Sequence, residues 1–382
     1  MNLNLIAPIN NRSYGLVGIN VLVELQKAGV DVALFPIPAV DRIEAEPQYH
    51  ENIRQAIDKS YLPDFKATSL RLWHEHDMSL SVGYGPKVGW PIFERNKLTD
   101  QHKLHLRSLQ KIIVCSKWAK DVVTKELNGL KDIDFDLSLA WEDFVHVVPL
   151  GVNRDIFNEH VLLPKYMPLD SPLGVLWEAS RDKVIFWHQG KQEIRKGHGF
   201  LHESLKKALG DKKDWELWVS WANPFVKEEE NKQWENLYKE TLGDHVRFIP
   251  WVQSQVEMAQ IMSLTDYALF PSLSEGWCLP CLEALSMGKG VVATNYSGFT
   301  EYLTKDNSLL IEPLEYEEAF DGVWFHGGFD WVSWTHKTNE QFVEHIKTLY
   351  NKGKGQINEA GISTAKEYSW TNSATKLLNA LS

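Results

Sequence analysis

Two glutamates, Glu275 and Glu283, are eight positions apart in the segment SLSEGWCLPCLEALSMGKGVVATN, residues 272–295. The apolar run YALFP predicts a strand before them, so Glu275 lies in a turn and Glu283 about two turns along the following helix. The N–H groups at a helix N-terminus bind anions, and Gly276 lets the backbone approach a ligand closely. The two carboxylates are candidates to hold hydroxyl groups on either side of a bound diphosphate. The alternative is that Glu275 caps the helix and Glu283 is solvated.

A second group of charges occurs in VIFWHQGKQEIRKGH, residues 184–198. The pattern predicts a strand, a glycine turn and the start of a helix, with Lys191, Arg195 and Lys196 where that helix begins. Lysine and arginine at such a position can neutralise phosphate groups. The alternative is a solvated basic turn.

Strands alternate with helices in two series, which predicts two parallel sheets that are covered on both faces. The first series includes LNLIAPI, VDVALFPI, SLRLWH and KIIVCS, and the second includes VIFWHQG, WELWVSW, VRFIPWV, YALFPS and GVVATN. A Pro-rich stretch, residues 162–174, separates them, and we place the hinge between Asn153 and Val184. The expected fold class is α/β, with two doubly wound, Rossmann-like domains facing each other across a cleft.

The composition of the chain argues against several classes of protein. The chain has 382 residues, of which 43% are hydrophobic and 24% charged, and its net charge is −11, which disfavours nonspecific binding to nucleic acid or anionic lipid. Its three cysteines form no paired CxxC sets, which argues against a disulfide scaffold or a structural zinc. The sequence shows no signal peptide and no apolar run long enough to span a bilayer, so we expect a cytoplasmic protein without an integral membrane segment.

These segments resemble the retaining GT-B glycosyltransferases that carry an E-x7-E signature, the family 4-like type also called glycosyl transferases group 1. The segment PSLSEGWCLPCLEALSMGKGVV aligns both glutamates with the family pattern, and the Lys191 to Gly197 segment resembles its G-R-x(4)-K-G element. Further resemblances follow the family's order along the chain: SYGLVG, LWHEHD, IIVCSKWAKDVV, PLGVNRDIF and the closing YSWTNSATKLL. We assign SYGLVG, with Gly15 and Gly18, to a turn that precedes a helix over INVLVELQKAG.

The chain departs from the family at several positions. Trp277 and Cys278 replace Phe-Gly, Lys191 replaces an arginine, and Gly290 replaces a proline. Lysine is a point charge where arginine offers a bidentate fork. Residues 315–336, which include GVWFHGGFDWVSW, match no family element and are a candidate specificity insertion.

The resemblance implies a donor domain at residues 175–364 that binds a nucleotide-sugar, either a UDP- or a GDP-sugar. Glu283 would hold the ribose hydroxyls, Glu275 would contact the transferred hexosyl or pentosyl group, and Lys191 and Lys196 would neutralise the diphosphate. The implied catalytic residues are Glu275 and His76, a histidine at the end of a first-domain strand, with His74 as its runner-up. The implied donor-binding residues are Gly15, Gly18, Lys191, Arg195, Lys196, Glu275, Gly276, Trp277, Cys278, Leu279 and Glu283.

The resemblance implies no metal and no cofactor apart from the nucleotide-sugar co-substrate. The segment DIDFD, residues 132–136, has the D-x-D spacing of metal-dependent glycosyltransferases. It follows no strand that enters a nucleotide-binding fold, so we do not expect it to hold a metal.

The acceptor site is expected in the first domain, residues 1–160, onto which a C-terminal helix at about residues 365–382 would cross back. Residues 85–125 carry nine Lys or Arg against three acids, a local charge of +6 in an acidic protein. We name His74, Lys103 and Arg107 as candidate acceptor-binding residues. A glycan or glycoconjugate acceptor, a DNA acceptor as in the phage enzymes that glucosylate hydroxymethylated bases, and a protein acceptor stay open.

Two readings from other functional classes also stay open. One is a noncatalytic nucleotide-sugar-binding protein on the same fold, which the presence of all four donor-site charges (Lys191, Lys196, Glu275 and Glu283) disfavours. The other is a sugar-phosphate synthase or a phosphorylase, and a phosphorylase would need a far longer chain.

Overall fold

A computed structural model describes residues 1–38, 43–128, 141–220, 223 and 225–382. The chain divides into two compact units, one formed by Met1–Gly151 with Tyr368–Ser382 and the other by Val152–Glu367. Within the described residues, each unit contains one sheet of six parallel strands. The predicted α/β class with two doubly wound sheets is therefore confirmed.

The sheet of the first unit has the strand order β2-β1-β3-β4-β5-β6. Its strands are β1 (Asn2–Ala7), β2 (Asp31–Pro36), β3 (Thr68–Trp73), β4 (Lys87–Pro91), β5 (Lys111–Val114) and β6 (Val145–Val147). Its helices, in chain order, are α1 (Ser13–Lys27), α2 (His50–Lys59), α3 (Asp100–Arg107) and α4 (Lys117–Asn128). Strand residues such as Leu5, Leu70 and Ile112 are fully buried, as expected when helices cover both faces of a parallel sheet.

Helix α1 begins earlier than the sequence predicts. Gly15 and Gly18, which we assigned to a turn, lie in its first turns. A β-carbon on Gly15 would lie 2.3 Å from the carbonyl oxygen of Asn10, and one on Gly18 would lie 2.1 Å from that of Pro8. These glycines therefore let the helix pack directly against the loop that leaves β1.

The second unit has the strand order β12-β11-β10-β7-β8-β9 and a separate hairpin. Its strands are β7 (Val184–Gln189), β8 (Trp215–Ser220), β9 (Val246–Ile249), β10 (Tyr267–Phe270), β11 (Gly290–Thr294), β12 (Leu309–Ile311), β13 (Tyr316–Phe320) and β14 (His326–Val332). Its helices are α5 (Pro172–Ser180), α6 (His198–Leu209), α7 (Glu228–Leu242), α8 (Gln255–Ser263), α9 (Leu279–Ser286), α10 (His336–Lys352) and α11 (Glu359–Glu367). None of the described helices in either unit is long and apolar enough to cross a membrane.

The last helix, α12 (Trp370–Leu381), belongs to the first unit. The hydroxyl of Ser373 donates to the carbonyl of Pro149 at 2.6 Å, and the ammonium of Lys111 donates to the carbonyl of Ala380 at 2.6 Å. Leu377 is fully buried. Contacts with the sheet and with α1 therefore tie the end of the chain to the unit that contains its beginning.

The segment 315–336, which matched no family element, contains the antiparallel hairpin β13–β14. Ala319, Phe325, Phe329 and Trp331 of this hairpin form a buried apolar cluster with Leu273, which follows β10. The backbone N–H of Val332 also donates to the carbonyl of Leu273 at 3.1 Å. The hairpin is therefore fixed against the loop that carries Glu275.

Candidate active site

The loops that follow β7 and β10 meet at the carboxyl edge of the second sheet, because these two strands are neighbours. Gly197, at the end of the β7–α6 loop, has a φ of +86°, and a β-carbon there would lie 2.6 Å from the carbonyl of Pro271. The backbone N–H of Leu273 donates to the carbonyl of Arg195 at 2.7 Å. The two segments that the sequence singled out are thus in direct contact.

Glu275 is buried and surrounded by donors. Its carboxylate accepts hydrogen bonds from the Lys196 ammonium at 2.5 Å, the Arg195 guanidinium at 3.2 Å and the Ser272 hydroxyl at 2.8 Å. Burial alone would raise its pKa, but the two cations and the hydrogen bonds lower the pKa of Glu275 to about 2. Glu275 is therefore a carboxylate throughout the physiological range and cannot act there as a general acid.

Glu193 extends this cluster and was not singled out by the sequence analysis. It is buried and pairs with the Lys191 ammonium at 2.7 Å and the Arg195 guanidinium at 3.0 Å. Burial raises its pKa, but the charges of Arg195 and Lys191 outweigh that effect and lower it. Arg195 thus bridges Glu193 and Glu275, and the three cations alternate with the two carboxylates in one connected network.

Glu283 has the opposite surroundings. It lies on α9 with 8% of its surface exposed, and its carboxyl group makes no hydrogen bond or ion pair within the described part of the chain. Burial raises the pKa of Glu283 to about 8, so the group is mostly protonated at neutral pH. A buried carboxyl group without a protein partner can bind hydroxyl groups of a ligand.

The turn between Glu275 and Glu283 packs against Tyr302. Trp277 is buried against Tyr302, with ring centroids 4.9 Å apart, and the Tyr302 hydroxyl donates to the carbonyl of Trp277 at 2.8 Å. Cys278 has a φ of +72°, a left-handed conformation that is unusual for a residue with a side chain, and α9 begins immediately afterwards at Leu279. The turn thus directs the positive end of the α9 dipole toward the carboxyl edge of the sheet.

His188, the penultimate residue of β7, is a further polar group that the sequence analysis missed. Its Nδ1 donates to the carbonyl of Leu269 at 2.7 Å, so Nε2 is an acceptor when the ring is neutral. Burial lowers the pKa of His188 to about 4, and Nε2 has no hydrogen-bond partner among the described residues. The only signal in the sequence was a histidine inside an otherwise apolar strand.

The first-unit candidates lie just after β3. The Nδ1 of His74 is 3.1 Å from the Tyr14 hydroxyl, and the rings of His74 and the exposed His76 stack with centroids 5.3 Å apart. Glu75 between them is buried; burial raises its pKa to about 7, although the Arg95 guanidinium at 3.1 Å lowers it. The ligand atoms of residues 74–76 lie within 4.8 Å of one another, a group that could hold a metal ion.

The basic stretch 85–125 is partly engaged in contacts within the first unit. Lys103 pairs with Glu126 at 3.0 Å, and the side chains are only 17% and 16% exposed. The guanidinium of Arg95 contacts Glu75, and Lys111 donates to a backbone carbonyl. The DIDFD segment lies outside the described residues. The role of Lys103 and Arg107 in acceptor binding remains a prediction.

Comparison with known proteins agrees with the resemblance to glycosyltransferases that the sequence motifs show. Residues 182–323 match the family described as glycosyl transferases group 1. An 87-residue segment is 30% identical to D-inositol 3-phosphate glycosyltransferase of Jonesia denitrificans and covers 23% of this chain and 20% of that protein. The matched segments span between 20% and 34% of the length of the curated relatives.

Solved structures match along the whole chain. A glycosyltransferase from Rickettsia africae superimposes with a TM-score of 0.66 at 15% identity, covering 100% of this chain and 97% of that one. Anabaena HepE in complex with UDP and glucose also gives a TM-score of 0.66, at 13% identity, covering 100% and 99%. The chain therefore has the GT-B fold, and the segment that matches the family described as glycosyl transferases group 1 lies within its second unit.

Proposed function

We propose that the protein is a retaining, metal-independent glycosyltransferase that moves a glycosyl group from a nucleotide-sugar to an acceptor hydroxyl. The observation that carries this proposal is that one sheet edge presents two carboxyl groups in opposite electrostatic environments. Glu275 is ionised and held by Lys196 and Arg195, while Glu283 is buried with no hydrogen-bond or ion-pair partner among the residues that the structure describes. A nucleotide-sugar contains hydroxyl groups, which carboxyl groups can bind, and a diphosphate, which the cations can bind.

In this proposal Glu283 binds the ribose hydroxyls, and the diphosphate lies against Lys196, Lys191 and the positive end of α9. Glu275 accepts hydrogen bonds from the transferred sugar, and its fixed negative charge stabilises the positive charge that develops on the sugar ring. The cations offset the charge that accumulates on the diphosphate as the glycosidic bond breaks. His76 remains the first-unit candidate for contact with the reacting sugar.

The decisive experiment is a hydrolysis screen over UDP-, GDP- and ADP-sugars, because slow donor hydrolysis requires no knowledge of the acceptor. We expect turnover with UDP- or GDP-sugars and a product that keeps the anomeric configuration of the donor, as followed by proton NMR. Nucleotide-sugar binding without hydrolysis, and without transfer to any offered glycan, would favour the noncatalytic alternative.

Metal independence has its own test. Three cations, Lys191, Arg195 and Lys196, lie in one connected cluster. They can offset the charge of a diphosphate, a task that a divalent ion can also perform. We expect hydrolysis to survive excess EDTA. Loss of turnover in EDTA that manganese or magnesium restores would contradict this and direct attention to the 132–136 segment and the His74–His76 group.

For the acceptor, we propose a glycan or glycoconjugate. The support is that Lys103 and Arg95 of the basic stretch already have carboxylate partners, which reduces the positive charge available to a nucleic-acid backbone. A DNA acceptor is the alternative, and it predicts salt-sensitive binding.

A further inference from the structure

The tip of the hairpin β13–β14 extends from the loop of Glu275 to the loop of Lys191. Phe325 contacts Arg195, whose guanidinium carbon is 5.7 Å from the ring centroid. The neighbouring Trp324 meets Phe225, which follows β8, with ring centroids 5.9 Å apart and planes at 79°. The hairpin therefore contacts residues that follow three different strands of the sheet.

Hydrogen bonds to Asp321 fix the backbone conformation of this tip. One carboxylate oxygen of Asp321 accepts from the backbone N–H groups of Val323, Trp324 and Phe325, at 2.9, 2.8 and 2.8 Å. Three bonds to one oxygen fix the backbone of the turn, while Phe325 and its neighbours anchor it in the apolar cluster around Leu273. Trp324 is thus presented on a rigid turn even though 42% of its surface is exposed.

Lys191 lies between these rings and a carboxylate. Its ammonium is 5.2 Å from the Phe225 ring centroid, 5.9 Å from the Trp324 ring centroid and 2.7 Å from an oxygen of Glu193. Aromatic faces attract cations at such distances. The lysine side chain keeps 40% of its surface exposed, so the ammonium is restrained and still open to a ligand.

This restraint makes up for a difference in flexibility between lysine and arginine. Arginine carries a planar fork that is preorganised to bind phosphate, whereas lysine carries a point charge on a flexible four-carbon stem. Lys191 occupies a position where the related family has arginine. A stem that is ordered before the ligand arrives loses less conformational entropy on binding.

We infer that Trp324 and Phe225 are positioning residues that hold the Lys191 ammonium for the diphosphate of the donor, an inference that rests on the proposed function. The hairpin β13–β14 then sets the affinity of the site for nucleoside diphosphates. Neither aromatic ring needs to touch the ligand, because both act through Lys191.

The test is calorimetric titration of the 382-residue chain with UDP, and with GDP or ADP if UDP does not bind. We expect Trp324→Ala and Phe225→Ala each to weaken binding about two- to fivefold, the size of a cation–π contact at an exposed site. Phe320→Ala is the matched control, because Phe320 is an exposed aromatic residue of the same hairpin that does not contact Lys191. We expect it to bind as wild type does.

Four further measurements separate a positioning role from general damage to the fold. In a Lys191→Ala background the Trp324→Ala change should have no further effect, and Lys191→Arg should restore most of the affinity lost in the Trp324→Ala, Phe225→Ala double variant. Affinity for the matching nucleoside, which lacks phosphate, should not change, and melting temperatures establish that each variant is folded.

Equal diphosphate affinity in wild type and in the double variant would overturn the inference while leaving the proposed function intact. An equal loss of nucleoside affinity, or a failure of Lys191→Arg to restore binding, would also overturn it. If wild type binds none of the three diphosphates, the proposed function and the inference fail together.

Discussion

The turn that contains Glu275 and the helix that contains Glu283 place two buried glutamates eight residues apart in opposite electrostatic surroundings. Around Glu275, two cations and a hydroxyl lower its pKa to about 2. Around Glu283, no described group offsets burial, and its pKa rises to about 8. The difference shows that burial by itself does not decide the charge of a carboxyl group. The charge depends on whether the fold also supplies cations and hydrogen-bond donors to the carboxyl group. Where the fold supplies none, a ligand can provide them.

The largest expected effect comes from removing the main cation on the Glu275 side. Lys196→Ala leaves a buried carboxylate with one cation fewer and takes a charge from the proposed diphosphate site, so kcat should fall by about 10²- to 10³-fold. Donor hydrolysis at saturating nucleotide-sugar measures this. Lys206→Ala, on the exposed face of the following helix, is the control and should behave as wild type. A Lys196→Ala enzyme with an unchanged kcat would contradict the assignment.

A second experiment separates the two glutamates by function. Glu283→Ala should weaken binding of the free nucleoside diphosphate at least about tenfold, because the ribose hydroxyls lose their partner. Glu275→Ala should mainly lower turnover. Calorimetry in buffers of different ionisation enthalpy should also detect proton release when wild type binds, since hydroxyl donors favour the ionised form of Glu283. Unchanged affinity in Glu283→Ala would refute the ribose assignment.

Stability as a function of pH should respond to the two glutamates with opposite sign. The folded pKa of Glu283 lies above its ordinary value of 4.5, so its stabilising contribution is complete below about 4.5 and is lost as the pH rises through 8. Glu283→Gln should therefore raise the melting temperature at pH 9 and change it little at pH 5.

For Glu275 the folded pKa is lower than the ordinary value, so its contribution is present above about 4.5 and is lost as the pH falls through 2. Glu275→Gln should thus lower the melting temperature at both pH 5 and pH 9. Removing one partner of a buried ion pair lowers the free energy of unfolding by about 3–5 kcal/mol. Thermal melts of the two variants at the two pH values give the comparison. Shifts of the same sign at pH 9 would contradict the difference in surroundings.

The smallest effect is expected for charges outside the site. Because Lys103 already pairs with Glu126, we expect no measurable binding of duplex DNA at about 50 mM salt. Filter binding at two salt concentrations tests this. Binding that weakens steeply with salt, and that the Lys103→Glu, Arg107→Glu variant loses, would instead favour a DNA acceptor.

The sequence predicted the two parallel sheets because their longer strands, such as β7 and β8, are continuous apolar runs. It missed the short strands β6 and β12, which have three residues each and leave almost no pattern. It also missed the five-residue strand β4, whose sequence KVGWP contains a glycine and a proline. It placed Gly15 and Gly18 in a turn, because local glycine content does not reveal that a helix packs closely on a preceding loop.

For the candidate site, the family resemblance identified Glu275, Glu283 and the nearby cations. It did not reveal the role of Glu193, because the link from Glu193 through Arg195 to Glu275 joins residues about 80 positions apart. It also could not show that Trp324 lies near Lys191, since the hairpin has no counterpart in the family pattern. Contacts of this kind depend on the tertiary fold, which local patterns do not encode.

The position of α12 has a consequence for how the first unit folds. This unit combines residues 1–151 with residues 368–382, whereas the second unit is continuous from Val152 to Glu367. The packing of α12 on the first unit therefore closes a loop that contains the whole second unit, and the entropic cost of that loop is incurred before the contact can stabilise the unit. Until the contact forms, the surface that Trp370, Ala374 and Leu377 cover is open to solvent. Completion of the first unit thus depends on contacts of very high sequence separation.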